Sequence, residues 1–216
     1  MPVFSKDEKY ILFIHIPKSA GSSIERTGTE LRWNESFSIR GRALKDLKYC
    51  KATLQHLHAE PLELLLNLDE FDSIFTVVRN PFSRLKSEYY WQRSQNITNI
   101  GVDEWIVGTF ERYPKNRYLY DNHIRPQVEF LPDHEKLQVF KLEEGGVEKA
   151  KDIFLSLSPA PKKIKSWAKR LLTGFANERQ EKRSEKDPEI EAKFAEHYEK
   201  IVEFYKEDYS AFSYKV

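Results

Sequence analysis

A single cysteine, Cys50, stands in a chain of 216 residues, so no intrachain disulfide closes and no cysteine-based zinc site is completed. An excess of one charge is also lacking. The 35 basic and 34 acidic residues leave a formal charge of +1, so attraction to a polyanion has to come from a local patch, and nucleic-acid binding loses its simplest support. Long apolar runs are missing: Ile11 to Ile14 and Ile74 to Val78 fall far short of the roughly 20 residues that cross a bilayer. The opening Met-Pro-Val-Phe-Ser-Lys-Asp-Glu-Lys has no basic segment leading into an apolar one. The expectation is no transmembrane segment, no signal peptide and a cytoplasmic location. Aromatics are plentiful, with 14 Phe, 11 Tyr and 4 Trp, which excludes global disorder. At about 1.4 times a 150-residue domain, residues 1–216 are expected to form one domain.

Tyr10 to Ile16 is a nearly continuous apolar run that ends at Pro17, the pattern of a parallel strand buried on both faces. Small residues follow, and Ile24, Thr27 and Leu31 then recur at helical spacing, predicting a helix over 22–33. Phe75 to Val78 predicts a second buried strand, and Pro81 suits the first turn of a helix behind it. Pro61 similarly predicts a short helix over 62–68. Leu137 to Leu142 alternates as a third strand, followed by Gly145-Gly146 and a helix through Phe154. Residues 156–188 read as a loop region carrying Lys162, Lys163, Lys165, Lys169 and Arg170. One amphipathic helix is expected over 189–205. The fold class is α/β: three layers, a central parallel sheet with helices on both faces.

Between the first strand and helix lies His15-Ile-Pro-Lys-Ser-Ala-Gly-Ser-Ser23. Backbone N–H groups at a helix start, small residues, hydroxyls and one ammonium make an anion cradle suited to phosphate. This P-loop-like unit departs from the nucleotide triphosphatase pattern, because Lys18 precedes Gly21, the first glycine is absent, and no metal-holding Asp ends the second strand. A magnesium-dependent kinase is disfavoured, and no metal is expected. Arg79 ends the second strand and Ser87 lies about two helical turns on, so both can reach a second anionic group; the pair of cradles suggests a doubly phosphorylated ligand. Arg84 and Lys86 read as a solvated helix face. His56, His58 and Glu60 are candidates for a general base. On a strand, their alternate spacing would also suit a metal.

The strings His-Ile-Pro-Lys-Ser-Ala-Gly-Ser-Ser and Val-Val-Arg-Asn-Pro-Phe-Ser-Arg-Leu-Lys-Ser-Glu-Tyr together resemble the sulfotransferases that use 3′-phosphoadenosine 5′-phosphosulfate (PAPS), in particular the carbohydrate branch with uronosyl 2-O-sulfotransferases and small bacterial relatives. Weaker echoes are His123-Ile-Arg-Pro-Gln127, the strand ending Lys141-Leu-Glu143, and Tyr205 to Phe212. The resemblance implies that Pro17, Lys18, Ser19, Ala20, Gly21, Ser22 and Ser23 hold the 5′-phosphosulfate, with Lys18 on the bridging oxygen. It implies that Arg79 and Ser87 hold the 3′-phosphate, that His56 is the catalytic base ahead of His58 and Glu60, and that a hydroxyl-bearing acceptor, a sugar, takes the sulfuryl group and leaves PAP. The alternatives are a non-catalytic PAP-binding module and a P-loop-type kinase.

Overall fold

A computed structural model of the chain describes residues 1–39, 47, 49–158 and 187–216. Five strands, β1 (Val3–Lys6), β2 (Lys9–Ile14), β3 (Asn34–Ser36), β4 (Ser73–Val78) and β5 (Leu137–Lys141), form one sheet in the order β3-β1-β2-β4-β5. The helices are α1 (Gly21–Glu30), α2 (Ala59–Leu65), α3 (Pro81–Ser94), α4 (Val102–Arg112), α5 (Gly146–Ser156), α6 (Pro188–Glu196), α7 (Tyr198–Phe204) and α8 (Lys206–Ala211).

The three strands expected from apolar runs are β2, β4 and β5, and they pair in parallel. The sheet as a whole is mixed, because β1 runs antiparallel to both β2 and β3. Asp7 and Glu8 turn the chain between the paired Lys6 and Lys9 with φ of 47° and 62°. That is the handedness a two-residue hairpin needs to match strand twist, here without the glycine that usually signals it.

Successive side chains leave opposite faces of a strand, so β2 and β4 feed two cores at once. Ile11, Phe13, Phe75 and Val77 pack with Ile24 of α1 and with Ala150 and Phe154 of α5. Leu12, Ile14, Ile74 and Val78 pack with Leu62 of α2, Phe130 and Phe212. Helices therefore cover both faces of the sheet. A third core lies away from the sheet and joins Leu85, Tyr89, Trp105, Ile106, Phe194, Ile201 and Tyr205.

Local boundaries depart from the sequence expectations in informative ways. β2 stops at Ile14, two residues before the apolar run ends, and Ile16 stays buried in the core below the following loop. α1 stops at Glu30 because Arg32 turns left-handed with φ 63°, which drops Trp33 against Phe154 with ring centroids 5.8 Å apart. α2 begins at Ala59, so Pro61 is its third residue rather than its first. The stripe over 189–205 is divided at His197 and Tyr205 into α6, α7 and α8, and the divisions keep Phe194, Ile201, Tyr205 and Tyr209 on one core. The cluster from Lys162 to Arg170 lies outside the described residues. No helix among the described residues is long and apolar enough to cross a membrane.

Candidate active site

Parallel pairing of β2 and β4 brings their carboxyl ends side by side, where open α/β sheets present ligand sites. From β2 comes the loop His15 to Ala20. Lys18 and Ala20 both sit at φ 67°, so the chain bends twice before α1 begins. Ala20 is the helix N-cap, and no side chain caps α1. Ser23 N already donates to the Ala20 carbonyl at 2.9 Å, whereas Gly21 and Ser22 stand before the first helical carbonyl that their N–H groups could reach. Ser22 is exposed, and Ser23 is half-buried. Gly21 is required by close approach: a Cβ there would lie 1.9 Å from Nε2 of His15.

Three side chains clamp this loop to its surroundings. Arg79 Nη1 donates to the Lys18 carbonyl at 3.1 Å. Arg84 Nε donates to the Pro17 carbonyl at 3.0 Å, and its Nη2 to the His123 carbonyl at 2.9 Å. Gln127 bridges the β4 end, accepting from Arg79 N at 2.9 Å and donating to the Arg79 carbonyl at 2.8 Å; Ser19 Oγ lies 3.5 Å from Gln127 Oε1. Gln127 is itself held by fully buried Asp208 of α8, which accepts from the backbone N–H groups of Gln127 and Val128 at 2.9 and 3.0 Å. Burial pushes the Asp208 carboxyl up, against the opposing pull of Arg84 and those N–H groups.

Asn80 caps α3 by accepting from Ser83 N at 3.1 Å, and Pro81 occupies the first turn. The buried face of α3 is partly polar: Arg84, Glu88 and Gln92 recur every fourth residue. Arg84 is only 1% exposed, which overturns its reading as part of a solvated face; the two carbonyls it holds lie under the loop and need a buried donor. Lys86 is likewise engaged, with Glu191 at 2.6 Å. Ser87 is half-buried on the same helix.

Lys18 is half-buried, with its ammonium 5.0 Å from the Trp91 ring centre. Burial, reinforced by Arg79 and opposed by Glu88, lowers its pKa to about 8.

Beyond Trp91 stands a row of imidazoles. Ring centroids of His15 and His56 are 4.8 Å apart, those of His56 and His123 4.9 Å, and those of His123 and Trp91 5.2 Å. Each imidazole has its own carboxylate at Nδ1: Glu25 for His15 at 2.6 Å, Asp121 for His56 at 2.8 Å, and Glu88 for His123 at 2.6 Å. Such a bond places the proton on Nδ1 and leaves Nε2 as the basic nitrogen. Burial, helped by the neighbouring His15 and His123, brings the His56 pKa down to about 3 despite its Asp121 bond. Burial would raise Asp121 and Glu88, but their imidazole partners hold both carboxyls below the ordinary range.

The Asp121 carboxylate also accepts from Thr53 N at 2.6 Å and Thr53 Oγ1 at 2.8 Å. Its backbone is unusual, since Tyr120, Asp121 and Asn122 have φ of 52°, 58° and 65°. Left-handed conformation costs roughly 1–2 kcal/mol per non-glycine residue, and such strain concentrates at functional sites. Asn122 ties the turn down, donating to the His56 carbonyl at 2.8 Å and accepting from Arg125 Nε at 3.1 Å.

His58 takes another course, standing at the N-cap position of α2 without a side-chain cap bond and meeting the Tyr118 ring at 5.6 Å. The Glu60 side chain is 83% exposed. His56 lies in a 3-10 turn, Leu54–His56, so the strand geometry that would align His56, His58 and Glu60 on a metal is not formed. One ligand-type atom each from His56, Asp121 and His123 do fall within 4.8 Å of one another, a spacing a cation can span, although both Nδ1 atoms and the Asp121 carboxylate already have hydrogen-bond partners. Of the weaker echoes, His123 enters the row, Gln127 frames the loop, and Arg125 pairs with Glu129.

A family model described as the sulfotransferase family matches residues 1–215, and the chain belongs to that family. No curated protein and no solved structure matches it.

Proposed function

We propose that this single-domain protein transfers the sulfuryl group of PAPS to an acceptor hydroxyl on a carbohydrate or glycoside, with His56 as general base and Lys18 as the charge-stabilising cation. The observation that carries this reading is the junction of two unlike half-sites: an anion cradle with its ammonium against one side of Trp91, and an imidazole–carboxylate row against the ring as well.

The residues present fit PAPS. The uncapped start of α1, the Lys18 ammonium and the hydroxyls of Ser22 and Ser23 suit a phosphosulfate, and Arg79 with Ser87 suits a 3′-phosphate. PAPS supplies a sulfur bonded to a phosphate oxygen that departs with the bonding electrons as PAP, while the acceptor oxygen forms the new bond to sulfur. Lys18 and the helix N–H groups stabilise the charge gathering on the departing phosphate. His56 is neutral well below pH 7, so Nε2 is free to take the acceptor proton, and Asp121 steadies the imidazolium that forms. Strand-end and loop signatures of a magnesium site are missing from the sequence, and the fixed cations take over that role.

Calorimetry with PAP tests the donor half. Tight binding that is equal with EDTA and with magnesium is expected. An absolute magnesium requirement would favour a kinase instead.

A further inference from the structure

A cavity of about 290 Å³ opens onto the His123 end of the imidazole row, with Asp121 and His123 in its wall. Thr53, which orients Asp121, also lines it, whereas the rest of the lining includes the apolar surfaces of Leu47, Trp91, Ile97 and Tyr120. Two properties of this cavity restrict what it can hold. Its volume lies at the small end of the roughly 300–1,000 Å³ typical of ligand sites, which suits one ring with a substituent rather than several residues of a polymer. Its described walls are also largely apolar. Among the described residues that line it, Lys51 is the one lysine or arginine, and its ammonium lies 5.9 Å from the Tyr118 ring centre. Asp121 is committed to Thr53 and His56. Trp91 and Tyr120 offer flat surface on which an apolar ring can stack. Trp91 is shared, touching Lys18 on the donor side and His123 on the cavity side, so a ring seated here lies beside His123, whose ring centre is 4.9 Å from that of His56.

We propose that this cavity is the acceptor site and that it takes a compact hydroxyl compound with a flat apolar ring rather than a polysaccharide chain. The inference rests on the sulfuryl-transfer reading above and specifies its substrate class. The acceptor oxygen gains the sulfuryl group from PAPS and gives up its proton to the imidazole row.

Radiolabelled PAPS, the wild-type protein and three acceptors test it: 4-nitrophenyl β-glucoside, 4-nitrophenol, and a uronate-containing sulfated polysaccharide. Transfer to a small neutral compound at a kcat/KM at least tenfold above that for the polymer is expected; the first two probes separate a sugar hydroxyl from a phenolic one. Ile97, half exposed on the cavity wall, provides the site-specific arm. Ile97→Asp should raise the KM of the small acceptor about tenfold or more, leave kcat within about twofold, and leave PAP affinity unchanged. Ile97→Val should behave as wild type. A polymer preferred over both small probes, or an Ile97→Asp variant with unaltered KM, overturns the proposal. PAP binding without transfer to either small probe also overturns the acceptor class while leaving the nucleotide site intact, and failure to bind PAP overturns the sulfuryl-transfer reading beneath it.

Discussion

The two halves of the site are built in different ways. The proposed donor half is contiguous: one loop from His15 to Ala20 and one strand end at Arg79, each followed directly by its helix. The proposed acceptor half is assembled from His15, His56, Glu88, Asp121 and His123, side chains drawn from distant parts of the chain and joined only by hydrogen bonds and ring contacts. Anion binding by backbone N–H groups requires only a local bend and a helix start, so a short string can encode it. Orienting an imidazole requires a partner for Nδ1, and that partner can come from anywhere in the fold.

The largest expected effects divide along this line. His56→Ala should lower kcat by roughly 10²–10⁴-fold, the range of general acid–base catalysis, with PAP affinity unchanged by titration calorimetry. His58→Ala should leave kcat within about threefold; a reversal of the two variants would move the base to His58. Lys18→Ala should lower kcat by about 10²–10³-fold, the scale of losing one preorganised charge-stabilising donor, and should weaken phosphosulfate binding as well.

This difference also explains what was legible in the sequence. β2, β4 and β5 are short apolar runs and could be read directly, as could the Pro81 start of α3 and the segment from Pro17 to Ser23. β1 was hidden because Asp7-Glu8 makes its hairpin without glycine. The expectation of a solvated Arg84 failed because a charged residue on a helix was assigned to solvent by type alone. Arg84, Glu88 and Gln92 share a face with Leu85 and Tyr89, and that alignment of polar and apolar residues was the available signal for a buried polar network. Asp121 had none: three successive left-handed residues, Tyr120 to Asn122, do not follow from a Tyr-Asp-Asn string, and its pairing with His56 crosses 65 positions.

An intermediate effect belongs to the nucleotide. Arg79→Ala should weaken PAP by about 10–100-fold, corresponding to the roughly 1.5–3 kcal/mol of a hydrogen bond to a charged group, and should weaken adenosine 5′-phosphosulfate much less, because that compound lacks the 3′-phosphate. Equal losses for the two ligands would remove Arg79 from the 3′ site.

The smallest expected effect is in the pH profile. Because Lys18 is lowered to about 8, kcat/KM for PAPS should fall as pH rises through that value and the ammonium is lost. Lys18→Arg should shift this alkaline limb upward. His56, held near 3, should contribute no acid limb between pH 5 and 7. An inflection in that interval that disappears in His56→Ala would show the ring to be less desolvated than its surroundings imply.

Following sulfur and PAP together in one reaction tests the union of the two halves most directly. With labelled PAPS and a hydroxyl acceptor, label on the acceptor and free PAP should appear in equal amounts, in the presence of EDTA, and only while both Lys18 and His56 are intact. PAP bound but no label transferred to any hydroxyl would contradict it, as would transfer that continues undiminished in His56→Ala.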